Sequence, residues 1–232
     1  MSSVGQQNEI NRHAWVKEII RAIPGGHRLL DAGAGEGRYK QNCHHLVYVS
    51  QDFGMYDGRG DRRGLQMGTW EQKDVDIICD ITDIPEPDRS FDAVLCTEVL
   101  EHIPDPLKAL GEFGRLLRHG GLLILTAPFC SLTHFAPFHY YTGFNRYFFE
   151  THLPDKGFEI LEIKENGNFF EYLAQEIRRI PDVAQRYSRK KVSFIDKNIM
   201  KAMLFLLQNL SGEDSGSNEI LHFGCFVLAR KV

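Results

Sequence analysis

The stretch Leu29-Leu30-Asp31-Ala32-Gly33-Ala34-Gly35-Glu36-Gly37-Arg38-Tyr39 carries the first chemistry the chain offers. An apolar run that ends in an acid and then breaks into alternating glycines reads as a buried strand meeting a tight turn. Gly33, Gly35 and Gly37 permit positive φ and leave room for a ligand against bare backbone. The helix expected after them would aim its free N–H groups at that ligand. The spacing is G-x-G-x-G, and Arg38 stands where the dinucleotide fingerprint G-x-G-x-x-G needs its last glycine. A tight strand–helix turn with no ligand is the alternative reading of these glycines taken alone.

Three further strand ends add polar groups. Asp52 closes the run that starts at His45, about 20 residues past the turn, a spacing that suits a bidentate bond to ribose hydroxyls. Asp80 with Ile81 follows Val75-Asp76-Ile77-Ile78-Cys79, and Phe91-Asp92-Ala93-Val94-Leu95-Cys96 runs into Thr97-Glu98. Apolar bodies that all end in polar groups describe one crevice at the carboxyl edge of a parallel sheet. Glu98 and His102 are spaced i, i+4, one face of a helix. As metal ligands they need partners that the sequence does not identify, so no metal is expected. The second dense stretch, residues 127–150, holds His134, His139, Tyr140 and Tyr141 among aromatics without regular periodicity. Aromatic faces bury flat or apolar ligands while Tyr and His supply polar tips. A loop packed on the core by its own aromatics is the other reading, and both can hold at once.

Residues 29–39, Asp52, Asp80 and the run from Phe91 through Glu98-Val99-Leu100-Glu101-His102-Ile103-Pro104 resemble the motifs of class I S-adenosylmethionine-dependent methyltransferases, small-molecule branch. Arg118-His119-Gly120-Gly121 followed by Leu122-Leu123-Ile124-Leu125-Thr126 is similar to that family's turn and fifth strand, with His119 where the family usually has proline. The resemblance implies S-adenosylmethionine as cofactor. By position it implies that Asp31, Gly33, Ala34, Gly35 and Gly37 cradle the methionine end. It also implies that Asp52 holds ribose, that Asp80 and Ile81 meet the adenine edge, and that Cys96, Thr97 and Glu98 line the floor near the sulfur. The cofactor brings the electrophilic carbon, so the protein must align an acceptor, exclude water and, where needed, take a proton. His139 is the expected base, His134 the second candidate, and Tyr140 or Tyr141 would orient the acceptor. The expected acceptor is a small molecule offering a hydroxyl, amine or carbon, and it can be aromatic, sugar-based or lipid-linked. Two rival functions are an NAD-dependent oxidoreductase, which should show the full dinucleotide fingerprint, and an inactive cofactor-binding scaffold, which should show broken motifs.

The elements that must position these groups follow from periodicity. Residues 8–23 space as an amphipathic helix with Trp15, Ile19, Ala22 and Ile23 on one stripe, stopped by Pro24-Gly25-Gly26. Residues 53–71 carry Gly54, Gly58, Gly60, Gly64 and Gly68 with no helical stripe, where the family places a helix, so a long loop at the crevice mouth is expected. Asp105-Pro106 caps a helix whose stripe is Leu107, Leu110, Phe113 and Leu117. Residues 158–163 alternate as a strand. Phe170, Leu173, Ile177 and Ile180, then Ile199, Met203, Leu206 and Leu210, space as two helices before a last strand at 220–228. The expected fold is α/β: a doubly wound, seven-stranded, mostly parallel Rossmann-like sheet with the last strand antiparallel. Residues 1–232 form one expected domain, with a helical insertion at about 167–211 that could cap substrate or form a homodimer face.

Composition sets the outer limits. The chain has 232 residues, with 27 Lys+Arg against 31 Asp+Glu and a net charge of −4, so it lacks the basic field of a nucleic-acid binder. Arg59, Arg62 and Arg63 cluster, but Asp57 and Asp61 lie among them. Cys43, Cys79, Cys96, Cys130 and Cys225 are odd in number and scattered, as buried thiols in a reducing compartment would be. With no signal-peptide pattern and no apolar run long enough to span a bilayer, the expectation is a cytoplasmic protein.

Overall fold

A computed structural model describes residues 3–71 and 74–232. Among these residues, five helices and seven strands are α1 (Asn8–Ala22), β1 (Arg28–Ala32), β2 (Val47–Asp52), β3 (Ile77–Ile78), β4 (Phe91–Thr97), α2 (Pro106–Leu116), β5 (Leu117–Pro128), α3 (Arg146–Asp155), β6 (Phe158–Asn166), α4 (Phe169–Tyr187), α5 (Phe194–Gly212) and β7 (Gly224–Lys231). The strands form one sheet in the order β3-β2-β1-β4-β5-β7-β6. β1 pairs in parallel with β2 and β4, β2 with β3, and β4 with β5, whereas β7 runs antiparallel beside β5. This is the expected seven-stranded, doubly wound sheet. The order reverses direction at β1, so the carboxyl ends of β1, β2 and β4 open at a topological switch point.

Alternation along the strands separates two cores. Leu30, Ala32, Val94, Cys96, Leu123 and Leu125 face Ala109, Leu110, Phe113 and Leu116 of α2 and Phe149 and Leu153 of α3. The intervening residues Leu29, Ala93, Leu95 and Ile124 face Trp15, Val16 and Ile20 of α1. A side-chain period of two in each strand makes this division. The buried stripe of α1 therefore runs Trp15, Val16, Ile20 and then Ile23, with Ala22 exposed. Trp15 stacks on Phe226 at 5.2 Å and donates its indole N–H to Glu162 Oε2 at 3.0 Å, so it packs against the sheet.

The chain divides into two compact units: Ala14–Lys164 with Gly224–Val232, and the segment ending at His13 with Glu165–Phe223. The second unit has its own small core, Val4, Ala174 and Leu207 with Phe170, Leu173, Ile177 and Leu204 around them. Both helices expected there are present. In α5, however, Leu207 is the buried residue, and Ile199, Met203, Leu206 and Leu210 are exposed. Among the described residues, no helix is long and apolar enough to cross a membrane.

α2 begins as the sequence dictates. Asp105 accepts the backbone N–H of Lys108 at 3.0 Å, and Pro106 takes the first helical turn, where its missing N–H costs nothing. Asp105→Ala is expected to lower stability by about 1 kcal/mol. An unchanged urea midpoint would mean that Pro106 alone sets the start of the helix.

Candidate active site

The glycine turn leaves β1 at Ala32. Gly33 and Ala34 donate to the Gln51 carbonyl, each at 2.9 Å, and Gly33 N also lies 3.2 Å from Gln51 Oε1. Gly35 donates to Asp52 Oδ2 at 2.9 Å while Gly54 donates to Asp52 Oδ1 at 3.0 Å. Bonds to both oxygens aim a carboxylate that is only 5% exposed. No regular α-helix follows the turn: residues 40–42 make one 3-10 turn, Lys40–Asn42, so the expected contribution from a helix N-terminus is absent. The N–H groups of Gly33, Ala34, Gly35 and Gly37 all bond within the protein, to Gln51 O, Asp52 Oδ2 and Ala34 O.

Asp31 lies beneath the turn at 2% exposure and accepts the Tyr48 hydroxyl at 2.7 Å. Burial pushes its carboxyl up to about 6; the Tyr48 bond opposes the shift and Asp52 adds to it. The folded state therefore holds a proton on Asp31 over a range where the unfolded chain has lost it. Stability attributable to this group is highest below about pH 4 and falls as the pH rises to about 6. Urea midpoints across that window should decline less steeply for Asp31→Asn, and identical slopes would show that Asp31 does not ionise there.

Asp80 is exposed and accepts Thr82 N at 2.8 Å, beside a buried Ile81. Along the end of β4, the Cys96 thiol is packed wholly in the core, and burial pushes it well above its usual range. Thr97 and Glu98 are half-buried. Glu98 adopts φ 53° and accepts the Thr126 hydroxyl at 2.9 Å. A non-glycine residue held in this region at a strand end is a form of strain that gathers at functional sites.

The two irregular segments flagged in the sequence meet each other. Leu65 donates to Thr133 O at 2.9 Å and accepts from Phe135 N at 3.0 Å; Asp61 N and Gln66 Nε2 donate to Ala136 O at 3.0 and 3.1 Å. Tyr56 stacks on Phe135 at 4.2 Å, with the Trp70 indole at the edge of both rings, and Phe53 meets Phe138 at 5.0 Å. Gly60 is required for this docking, because a Cβ there would collide with Ala136 O. Residues 53–71 leave β2 and residues 129–144 leave β5, so the joined segments belong to the carboxyl edge of the sheet.

His102, on the short turn Leu100–His102 after β4, lies under this cover. Its ring is 4.6 Å from that of His134 and 5.8 Å from that of His139, and the latter two are 4.8 Å apart. Burial, with His134 next to it, pushes His102 down to about 3, and the same two causes lower His139. His139 Nε2 lies 3.1 Å from Ser131 Oγ. Tyr140 and Tyr141 donate their backbone N–H groups to Glu101 O at 2.9 and 3.2 Å, and the Tyr141 hydroxyl donates to Pro104 O at 3.1 Å. All fifteen candidate residues thus lie in one unit, the acids and glycines at the ends of β1 to β4 and His134, His139, Tyr140 and Tyr141 after β5. Trp70, Gln51 and Glu101 also lie against these groups and are not among the residues that the sequence singles out. Glu101, between Glu98 and His102, stood in plain view of the chemistry.

A family model described as a methyltransferase domain matches residues 30–125. A demethylmenaquinone methyltransferase of Renibacterium salmoninarum is 32% identical over 185 residues, 78% of this chain and 70% of that protein. A ubiquinone biosynthesis O-methyltransferase of Xanthomonas axonopodis pv. citri is 33% identical over 109 residues, and the chain spans only 45% of its length. Among solved structures, Haemonchus contortus phosphoethanolamine N-methyltransferase 2 in complex with S-adenosyl-L-methionine aligns over 95% of this chain and 52% of that one. Its TM-score is 0.53 at 18% identity, a likeness of fold. The chain belongs to the class I S-adenosylmethionine-dependent methyltransferases. It carries that family's methyltransferase domain.

The residues around the turn fit that family's cofactor. A Cβ at Gly35 would approach the Trp70 indole to 2.7 Å, so the glycine lets that indole close directly over the turn. The Trp70 N–H is buried without a hydrogen-bond partner, a donor placed against the same turn. The Asp31 and Asp52 carboxylates are hydrogen-bond acceptors beside the same turn.

Proposed function

We propose that the chain transfers a methyl group to a hydroxyl, amine or carbon of a small, partly apolar acceptor held beneath the joined segments 53–71 and 129–144. The observation that supports the acceptor class is this aromatic cover, in which Tyr56 packs on Phe135 and Phe53 on Phe138, with His134, His139, Tyr140 and Tyr141 as polar groups of the same segment. The relatives named for demethylmenaquinone and for ubiquinone biosynthesis support an aromatic acceptor, and a sugar or lipid-linked one also suits stacking surfaces.

In this reading Asp31 with Gly33, Ala34, Gly35 and Gly37 holds the methionine end of S-adenosylmethionine, Asp52 the ribose hydroxyls, and Asp80 with Ile81 the adenine edge. Thr97 and Glu98, with the backbone of Cys96, border the sulfur. The bound sulfonium supplies an electrophilic methyl group. The chain's own residues then exclude water through the aromatic cover and orient the acceptor through Tyr140 and Tyr141. His139 takes a proton at an imidazole nitrogen, with His134 as the alternate base. Mass spectrometry of the purified protein under native conditions tests the cofactor: retained S-adenosylhomocysteine supports the reading, and retained NAD overturns it.

A further inference from the structure

We propose that Glu101, His102 and His134 form a binding site for one divalent transition-metal ion. One carboxylate oxygen of Glu101 and one ring nitrogen from each histidine all lie within 4.8 Å of one another, and Glu101 Oε1 is 3.8 Å from His102 Nε2. The inference stands apart from the methyl-transfer reading, since it needs only that the ion bind.

The hydrogen bonds around the rings prepare them as ligands. His102 Nδ1 lies 2.5 Å from Phe138 O, and His134 Nδ1 lies 2.8 Å from Leu132 O. A carbonyl only accepts, so each Nδ1 carries the proton and each neutral ring keeps its lone pair on Nε2. Metal-binding histidines are oriented in this way, with the second nitrogen donating to a backbone carbonyl. Glu101 is fixed by its own backbone, whose carbonyl accepts from Tyr140 N and Tyr141 N, and a divalent ion would neutralise a carboxylate that is 1% exposed.

Ligand softness decides the class of ion. Two imidazoles and one carboxylate suit zinc, iron or nickel, while magnesium and calcium prefer all-oxygen shells. Nitrogen and oxygen ligands sit roughly 2.0–2.2 Å from zinc, so the three groups must draw together by about an ångström. His134 can supply that movement, because it is half-buried on the segment after β5 while Glu101 and His102 sit on the turn after β4. The ion would therefore tie the cover to the strand ends. Three ligands leave a coordination position open, and the His139 ring is 4.8 Å from that of His134.

The test uses the full chain, freed of metal with chelator and titrated calorimetrically with zinc, and in parallel with magnesium. One equivalent of zinc should bind, magnesium should not compete, and cobalt in place of zinc should give visible absorption bands of low coordination number. His134→Ala and Glu101→Gln should each weaken zinc binding by at least tenfold, with far-UV circular dichroism unchanged. His44→Ala, at an exposed site, should bind as the parent does. Zinc binding that survives His134→Ala, or that fails to saturate near one equivalent, overturns the proposal. Retention of S-adenosylhomocysteine is measured separately and does not depend on either outcome.

Discussion

His139→Ala is expected to lower turnover by roughly 10²–10⁴-fold with cofactor affinity unchanged, the range for loss of a positioned general base. The structure puts His139 beside His134, and its Nε2 is 3.1 Å from Ser131 Oγ. Burial and the neighbouring imidazole hold it below the ordinary histidine value of 6.5, so it is neutral at pH 7 and able to accept a proton. The sign sets the acid limb of the pH profile: activity should persist below pH 6.5 and fall only as the ring becomes protonated. The Ser131 contact also permits a simpler role, in which His139 latches residues 131–142. His139→Gln separates the two, because an amide can bond to Ser131 but cannot carry a proton away. A base loses turnover in both variants. A latch is rescued by glutamine, and rescue would move the search to His134.

What the sequence revealed about this site divides along a physical line. Strand ends were legible because burial on both faces leaves continuous apolar runs, and an acid or glycine closing such a run has few explanations. Asp31, Asp52 and Glu98 were found in this way, whereas the antiparallel direction of β7 came from the family resemblance. Effects that depend on contacts between distant loops were not legible. Nothing local in residues 53–71 states that Gly60 lets the backbone reach Ala136, or that Trp70 lies on Gly35. In place of the helix expected after Gly37 there is a 3-10 turn, although Tyr39, Cys43 and Leu46 pack on the core; Gly26 N donates to His45 O and Val47 N to His27 O as the chain enters β2. Glu101 is the sharpest case. The i, i+4 pair Glu98 and His102 drew attention, yet the fold turns Glu98 toward Thr126 and leaves Glu101 beside the imidazoles. A helical wheel misleads where residues 100–102 make only a single short turn.

Asp52→Ala is expected to weaken binding of S-adenosylhomocysteine more than tenfold, since hydrogen bonds from two hydroxyls to a charged carboxylate contribute roughly 1.5–3 kcal/mol. The alanine variant alone would leave the cause mixed, because Asp52 also accepts from Gly35 N and Gly54 N and so helps to shape the turn. Asp52→Asn distinguishes the two contributions. The amide oxygen can still accept one of those backbone N–H groups, while its NH₂ faces the other oxygen's partners as a donor and lacks the charge that a vicinal diol favours. Loss of affinity in both variants, with thermal unfolding of the free protein little changed in Asp52→Asn, assigns the effect to the ribose contact. Affinity retained by Asn and lost by Ala assigns it to the turn. Calorimetry showing unchanged affinity in both would remove Asp52 from the cofactor site, leaving Asp31 and the glycine backbone to account for binding.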